Sequence, residues 1–224
     1  LAEPQQSAEL KLACERLDAL ADRIEAAEAE GLVPADRVEA INAQLIALRD
    51  PSWAIAHDRL RAAEGIVELM GLDPTDGALA AGLSVYQALS ALDRLEVRGR
   101  DSAGIQLLVT GHGLDLESPQ VQALLDERRY PFFGSGAVRT PEGALSFVYK
   151  AAAEIGELGD NTAAIRSAVL GDELLHLALE SPHAWTMVLG HTRWASVGII
   201  SEANAHPQSS EELAAVSALQ RGST

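Results

Sequence analysis

The strongest constraint on the fold is a stretch without charge. Ala78-Leu79-Ala80-Ala81-Gly82-Leu83-Ser84-Val85-Tyr86-Gln87-Ala88-Leu89 continues uncharged until Asp93. Its Ala and Leu content favours helix, and a helix with no solvated stripe has to be buried on most of its circumference. The chain must therefore build other elements around it.

Upstream of that helix the sequence supplies helices of a different kind. From Gln5 to Glu96 it is dominated by Ala, Leu, Glu, Asp and Arg, the composition of helices packed on helices. Leu12, Leu17, Leu20 and Ile24 recur at helical spacing, as do Val38, Ile41, Leu45 and Leu48, each set with charged residues opposite. Gly31 ends the first helix and Pro34 lies near the start of the second. Asp50-Pro51 and Asp73-Pro74 each offer a capping carboxylate before a first-turn proline. Four helices are expected, at about 6–30, 35–49, 52–71 and 76–96. Their acidic outer face reads as solvated, and contact with a basic partner or another subunit is the alternative. Residues 1–75 form a helical insertion or appendage on this reading, and 76–224 a separate domain.

After Gly99 the period changes. Ile105, Leu107 and Val109 alternate with Gln106, Leu108 and Thr110, and Gly111-His112-Gly113 closes the run. Thr140-Pro141-Glu142-Gly143 is a turn signal before the alternating Leu145 to Lys150. Asp160 and Asn161 can cap a helix running to about Leu179, a third strand is expected from Ala184 to Gly190, and Ser209 to Ala218 reads as a helical turn or two before an unanchored tail. The class is α+β.

Charge narrows the function. With 17 Lys plus Arg against 33 Asp plus Glu, the 224-residue chain carries −16, which repels phosphate backbones and anionic membranes, so neither nucleic acid nor membrane is expected as a partner. The single cysteine permits no internal disulfide and points to a reducing, cytoplasmic compartment. No apolar run approaches the roughly 18 residues of a membrane span. Leu1-Ala2-Glu3-Pro4 is not a signal peptide, and the missing initial Met suggests a piece of a longer polypeptide.

Two polar clusters stand where helices and strands end, the places at which α/β architectures put their sites. One is Leu95-Glu-Val-Arg-Gly-Arg-Asp-Ser-Ala-Gly-Ile105. The other is Gly190-His-Thr-Arg-Trp-Ala-Ser196 with Ser201-Glu-Ala-Asn-Ala-His-Pro207. Arg193 beside Trp194 would suit a small anion, because a guanidinium grips a carboxylate with two hydrogen bonds and an indole shields it. From spacing alone, Arg98 and Asp101 read as an ion pair at a helix end, with a catalytic role as the alternative.

Together these segments resemble, over about 25 residues and in order, the Leu-Glu-Tyr-Arg-Gly-Tyr-Asp-Ser-Ala-Gly, His-Thr-Arg-Trp-Ala-Thr and Ser-Glu-x-Asn-Ala-His-Pro segments of class II glutamine amidotransferase domains of the glucosamine-6-phosphate synthase type. The resemblance implies an N-terminal nucleophile hydrolase fold, an αββα sandwich of two antiparallel sheets between helix layers. It further implies a covalent mechanism in which an N-terminal Cys thiol attacks the side-chain amide of glutamine. The thiol's own α-amine, with a pKa of about 7.7 to 8.0, serves as the base. Ammonia then passes to fructose 6-phosphate on sugar-isomerase domains of the same longer chain. By the same resemblance Arg193 binds the α-carboxylate of glutamine, Trp194 gates the ammonia path, Ser196 stands at a glutamine-binding threonine, and Arg98 and Asp101 support the nucleophile. No cofactor and no metal are implied, and a homodimer is a possible assembly.

Departures from the pattern are equally specific. Val97 and Arg100 replace two tyrosines, and Val197 replaces a histidine that lines the glutamine pocket. Cys14 lies inside an amphipathic helix without a free α-amine and reads as a small buried apolar residue. The His-Asn-Gly-Ile-Ile-Glu-Asn oxyanion segment of the family does not occur before Thr224. The chain is thus expected to be an internal fragment, incomplete at both ends. Six histidines form no His-Glu-x-x-His, Arg100-Asp101-Ser102-Ala103-Gly104 lacks the first glycine of a nucleophile elbow, and Gly134-Ser135-Gly136 lacks the lysine of a phosphate loop. Two functions remain open: a glutaminase domain whose nucleophile lies elsewhere, and a non-catalytic binding or regulatory module on the same fold.

Overall fold

A computed structural model describes residues 4–71, 73–128, 133–152, 157–196 and 199–209. The chain divides into two compact units, Leu1–Glu68 and Leu69–Thr224.

The first unit is a helical hairpin. Helix α1 (Pro4–Ala29) and helix α2 (Val38–Trp53) run antiparallel, as the rungs between them show: Asn42 Nδ2 donates to Glu28, Arg49 to Asp22 and Glu25, and Ser52 Oγ to Asp18. Gly31 N–H returns to Glu28 O and Leu32 N–H to Ala27 O, the paired bonds that close a helix C-terminus. Between the helices lie Cys14, Ala21 and Leu45, all buried. The expected break at Asp50-Pro51 does not occur. Helix α2 passes through Pro51 to Trp53, continues as a π-helical stretch over Ala54–Arg59 and becomes α3 (Leu60–Met70). Proline deprives one carbonyl of its N–H partner. Here the wider winding takes up the defect, and Ala54 N–H meets both Asp50 O and Pro51 O.

The second unit is mixed α and β around one four-stranded antiparallel sheet of order β2-β3-β1-β4. The strands are β1 (Ser102–Thr110), β2 (Val138–Arg139), β3 (Leu145–Ala151) and β4 (Trp185–Arg193). Helix α4 (Asp76–Leu95) is capped by Thr75, whose hydroxyl accepts from Ala78 N–H, rather than by the expected Asp73. As its lack of charge requires, it buries Ala78, Ala81, Val85, Leu89 and Leu92 against the sheet. In register, Ile105 sits between Tyr149 and Gly190, and Leu107 between Phe147 and Val188. The face carrying Ile105, Leu107, Phe147 and Tyr149 holds the main core with α4, α6 (Asp160–Leu170) and α7 (Glu173–Leu179).

Two further expectations are corrected. The helix expected from Asp160 to Leu179 is two helices broken at Gly171-Asp172, and its N-cap is Gly159. Asp160 instead accepts from Glu157 N–H. Asp172 caps α7 through Leu175 N–H while holding Arg128, which a continuous helix would prevent. Helix α5 (Pro119–Asp126), capped by Ser118, was not anticipated.

The opposite sheet face is covered unevenly. Phe133 and Ala137 close over Val148. Along β4 the side chains on that face, Trp185, Met187 and Leu189, are more than half exposed. Among the described residues there is one sheet, and no helix long and apolar enough to cross a membrane. The expected helical turns from Ser209 to Ala218 and the tail lie outside the described residues, apart from Ser209.

Candidate functional site

The two polar clusters meet at one end of the β1–β4 pair. Helix α4 ends at Leu95, and a single 3-10 turn, Glu96–Arg98, leads the chain into β1. Glu96 is fully buried. Its Oε2 accepts Gly159 N–H at 2.6 Å and anchors the turn to the start of α6. Asn161 in that helix donates to Arg100 O at 2.9 Å.

Contacts between the clusters follow residue by residue. The backbone N–H of Asp101 donates to Arg193 O at 3.2 Å, and its carboxylate accepts Ala195 N–H at 2.5 Å across 94 positions of sequence. A charged acceptor on a backbone donor is among the stronger hydrogen bonds, so Asp101 fixes where the chain goes after β4. Arg193 pairs with Ser102 and His191 with Gly104. A Cβ on Gly99 would lie 2.6 Å from Thr192 Oγ1, and one on Gly104 only 2.0 Å from His206 O. Glycine at 104 is thus what lets the 201–207 segment lie directly on β1.

Strand β4 runs three residues beyond the end that its sequence pattern implies. His191, Thr192 and Arg193 were expected beyond the strand, but they belong to it, because Ser102, Ala103 and Gly104 extend the ladder to meet them. Arg193 is half-buried and its Nη1 donates to Asn204 O at 3.2 Å, while Asn204 Nδ2 donates to Ile199 O. The imidazoles of His191 and His206 lie 4.5 Å apart between centroids. Partial burial, then His206 and Arg193 close by, hold the His191 pKa below its ordinary value.

Trp194 is 75% exposed and Ser196 is exposed, so both stand at the surface beside Arg193. Arg98 is exposed as well, and among the described residues no ion pair joins it to Asp101. The local ion pair read from spacing is replaced by the Asp101–Ala195 contact. Val197 and Gly198 lie outside the described residues. The arrangement offers a guanidinium on a rigid strand, an indole beside it and a loop tied by a carboxylate, which suits a small carboxylate ligand.

A second polar centre had no sequence signal, because its members are far apart in the chain. Arg128 and Asp172 form a buried ion pair through two 2.6 Å bonds, and Tyr149 Oη donates to the same carboxylate at 2.5 Å. Burial pulls the Arg128 pKa down, but bonding to Asp172 outweighs it and holds the group above its ordinary value. Burial, reinforced by Asp172, pushes the Tyr149 hydroxyl well above its ordinary value of 10. The cluster borders an open cleft of about 420 Å³ with Leu124, Ser135 and Leu174. Arg128 also bonds Gly136 O and faces the Phe147 ring, so it ties Asp172, Gly136 and β3 together. Among the described residues no group of three or more His, Cys, Asp and Glu is placed to hold a metal ion.

No protein-family model, no curated protein and no solved structure matches the chain.

Proposed function

We propose that this chain is the glutamine-binding part of a class II glutamine amidotransferase, acting with a nucleophilic N-terminal cysteine that is not among the 224 residues. The single observation that carries the reading is the convergence of the two motif segments. Asp101 holds Ala195, Gly104 seats His206 and Arg193 reaches Asn204, so the residues that carry the resemblance also form one local assembly.

Arg193 has the chemistry to grip the α-carboxylate of glutamine, with Trp194 lying over the bound amino acid and Ser196 offering a hydroxyl. Asp101 acts as a positioning residue for that loop, and Arg98 supports the nucleophile end. The thiol would attack the side-chain amide carbon, ammonia would leave, and water would release glutamate from the thioester. Ammonia would then be transferred to a sugar phosphate on isomerase domains of the same polypeptide. The αββα sandwich belongs to this proposal, and the uncovered row Trp185, Met187, Leu189 supports it. A second sheet laid on that face would remove those side chains from water.

The test is glutamine hydrolysis by the polypeptide as its own cell makes it, wild type against Arg193→Lys. Lysine keeps the charge but loses the two-pronged grip, so KM for glutamine should rise about tenfold or more with kcat changed less. A variant with an unchanged KM would remove Arg193 from the site. A second reading, a regulatory module that binds glutamine without turnover, is favoured by Val197, which stands in place of the histidine that lines the glutamine pocket of the family it resembles. Glutamine binding without glutamate release would establish it.

A further inference from the structure

Helix α1 has two stripes, and the more apolar one faces outward from Leu10 to Leu20, with Ile24 and Ala27 half-buried at its end. Toward α2 it presents Cys14, Asp18, Ala21, Glu25 and Glu28, three of them acidic. Beside that stripe run Leu10, Ala13, Leu17, Leu20, Ile24 and Ala27, at spacings of three and four throughout. Leu10, Leu17 and Leu20 are 48%, 38% and 45% exposed. A strict alternation of three and four is the spacing of a coiled-coil seam, with Leu10, Leu17 and Ile24 at one core position and Ala13, Leu20 and Ala27 at the other.

We propose that this seam pairs with the same seam of a second copy of the chain, the two α1 helices lying parallel and in register. Charge complementarity selects both the occupant and the direction. In parallel register the flanking positions that meet are five residues apart in number. Arg23 then meets Glu28 of the second copy, a half-buried carboxylate that also accepts Asn42 Nδ2, while Arg16 and Glu9 stand beside Ala21 and Cys14, which α2 already buries, so the one charged pair is attractive and occurs twice by symmetry. Antiparallel pairing with the leucines matched would set Arg16 against Arg23 and Glu9 against Glu30, two repulsive pairs. Parallel alignment also stacks Leu17 on Leu17, Leu20 on Leu20 and Ile24 on Ile24. Alanine at two core positions makes the association weak, so it depends on protein concentration.

The test is sedimentation velocity on the whole chain from about 1 to 500 µM, a range over which a weak dimer forms by mass action. Wild type should shift from monomer to dimer. Leu17→Glu/Leu20→Glu should raise the dissociation constant at least about a hundredfold with an unchanged far-UV circular dichroism spectrum. Arg23→Glu should weaken the dimer, and Arg23→Glu/Glu28→Arg, which leaves the apolar seam intact, should restore it. Leu10→Cys should form a disulfide-linked dimer on mild oxidation, since only parallel pairing brings the two positions together. A monomer across the range overturns the proposal. So does a dimer that tolerates Leu17→Glu/Leu20→Glu, which would place the contact elsewhere, or a Leu10→Cys protein that stays uncrosslinked while dimeric.

Discussion

Substituting Gly104 tests the join between the two motif segments directly. A Cβ at this position lies 2.0 Å from His206 O and 3.2 Å from Cδ of Pro207. Carbon and oxygen in such contacts rest about 3.3 Å apart, so the gap must open by about 1.3 Å. Neither side yields easily: β1 is paired with β3 and β4 along its length, and the opposing atom is backbone. Overpacking of this kind costs about 1–3 kcal/mol. For a unit of this size that lowers Tm by about 2–12 °C. The assay is thermal and urea denaturation of Gly104→Ala beside Gly134→Ala, a position where an added Cβ meets nothing within 4 Å and where a change within about 0.5 kcal/mol is expected. In the amidotransferase the same substitution should raise KM for glutamine, because moving the 201–207 segment shifts Asn204 O, the partner of Arg193. Equal stability of the two alanine variants would mean that the 201–207 segment does not lie on β1, and the site described above would not exist.

Other consequences concern the buried pair and pH. Arg128→Ala leaves the Asp172 carboxylate, whose side chain is 3% exposed, without its counter-charge, and urea denaturation should show a loss of about 3–5 kcal/mol. Tyr149→Phe removes one donor but keeps the ion pair, so about 1–2 kcal/mol is expected. The depressed His191 pKa means that the folded state disfavours the imidazolium. Its contribution to stability is therefore present above the ordinary value of 6.5 and lost as pH falls through the lower folded value. The urea midpoint of wild type should fall between pH 7.5 and 5 by more than that of His191→Gln, and parallel profiles would exclude His191 as the group responsible.

What could be read from the sequence was whatever depends on local pattern. The uncharged run after Ala78 does become the enclosed helix α4, and the alternation at Ile105–Thr110 and Leu145–Lys150 does become the paired central strands. Errors arose where distant contacts override local signals. Pro51 is a helix breaker in isolation, yet the rungs at Asn42, Arg49 and Ser52 hold α2 on α1 across it. Asp172 reads as one more residue of a long helix until Arg128 and Tyr149, far away in sequence, claim its carboxylate. At the candidate site the residue types were legible but their partners were not. Asp101 has an arginine three positions before it, and only the sheet register reveals that it serves Ala195 instead. Gly104 carries no chemical group at all, and its importance is visible only as the space it leaves for His206.

The central claim is that Arg193, Trp194 and the loop held by Asp101 serve a glutamine-consuming cysteine nucleophile. Its most direct test is peptide mapping of the polypeptide, as its own cell makes it, after incubation with a diazo-ketone analogue of glutamine. A single adduct is expected on an N-terminal cysteine, with glutamine protecting against it and Arg193→Lys slowing it. An adduct on Cys14, or none on a folded protein that carries an N-terminal cysteine, would contradict it.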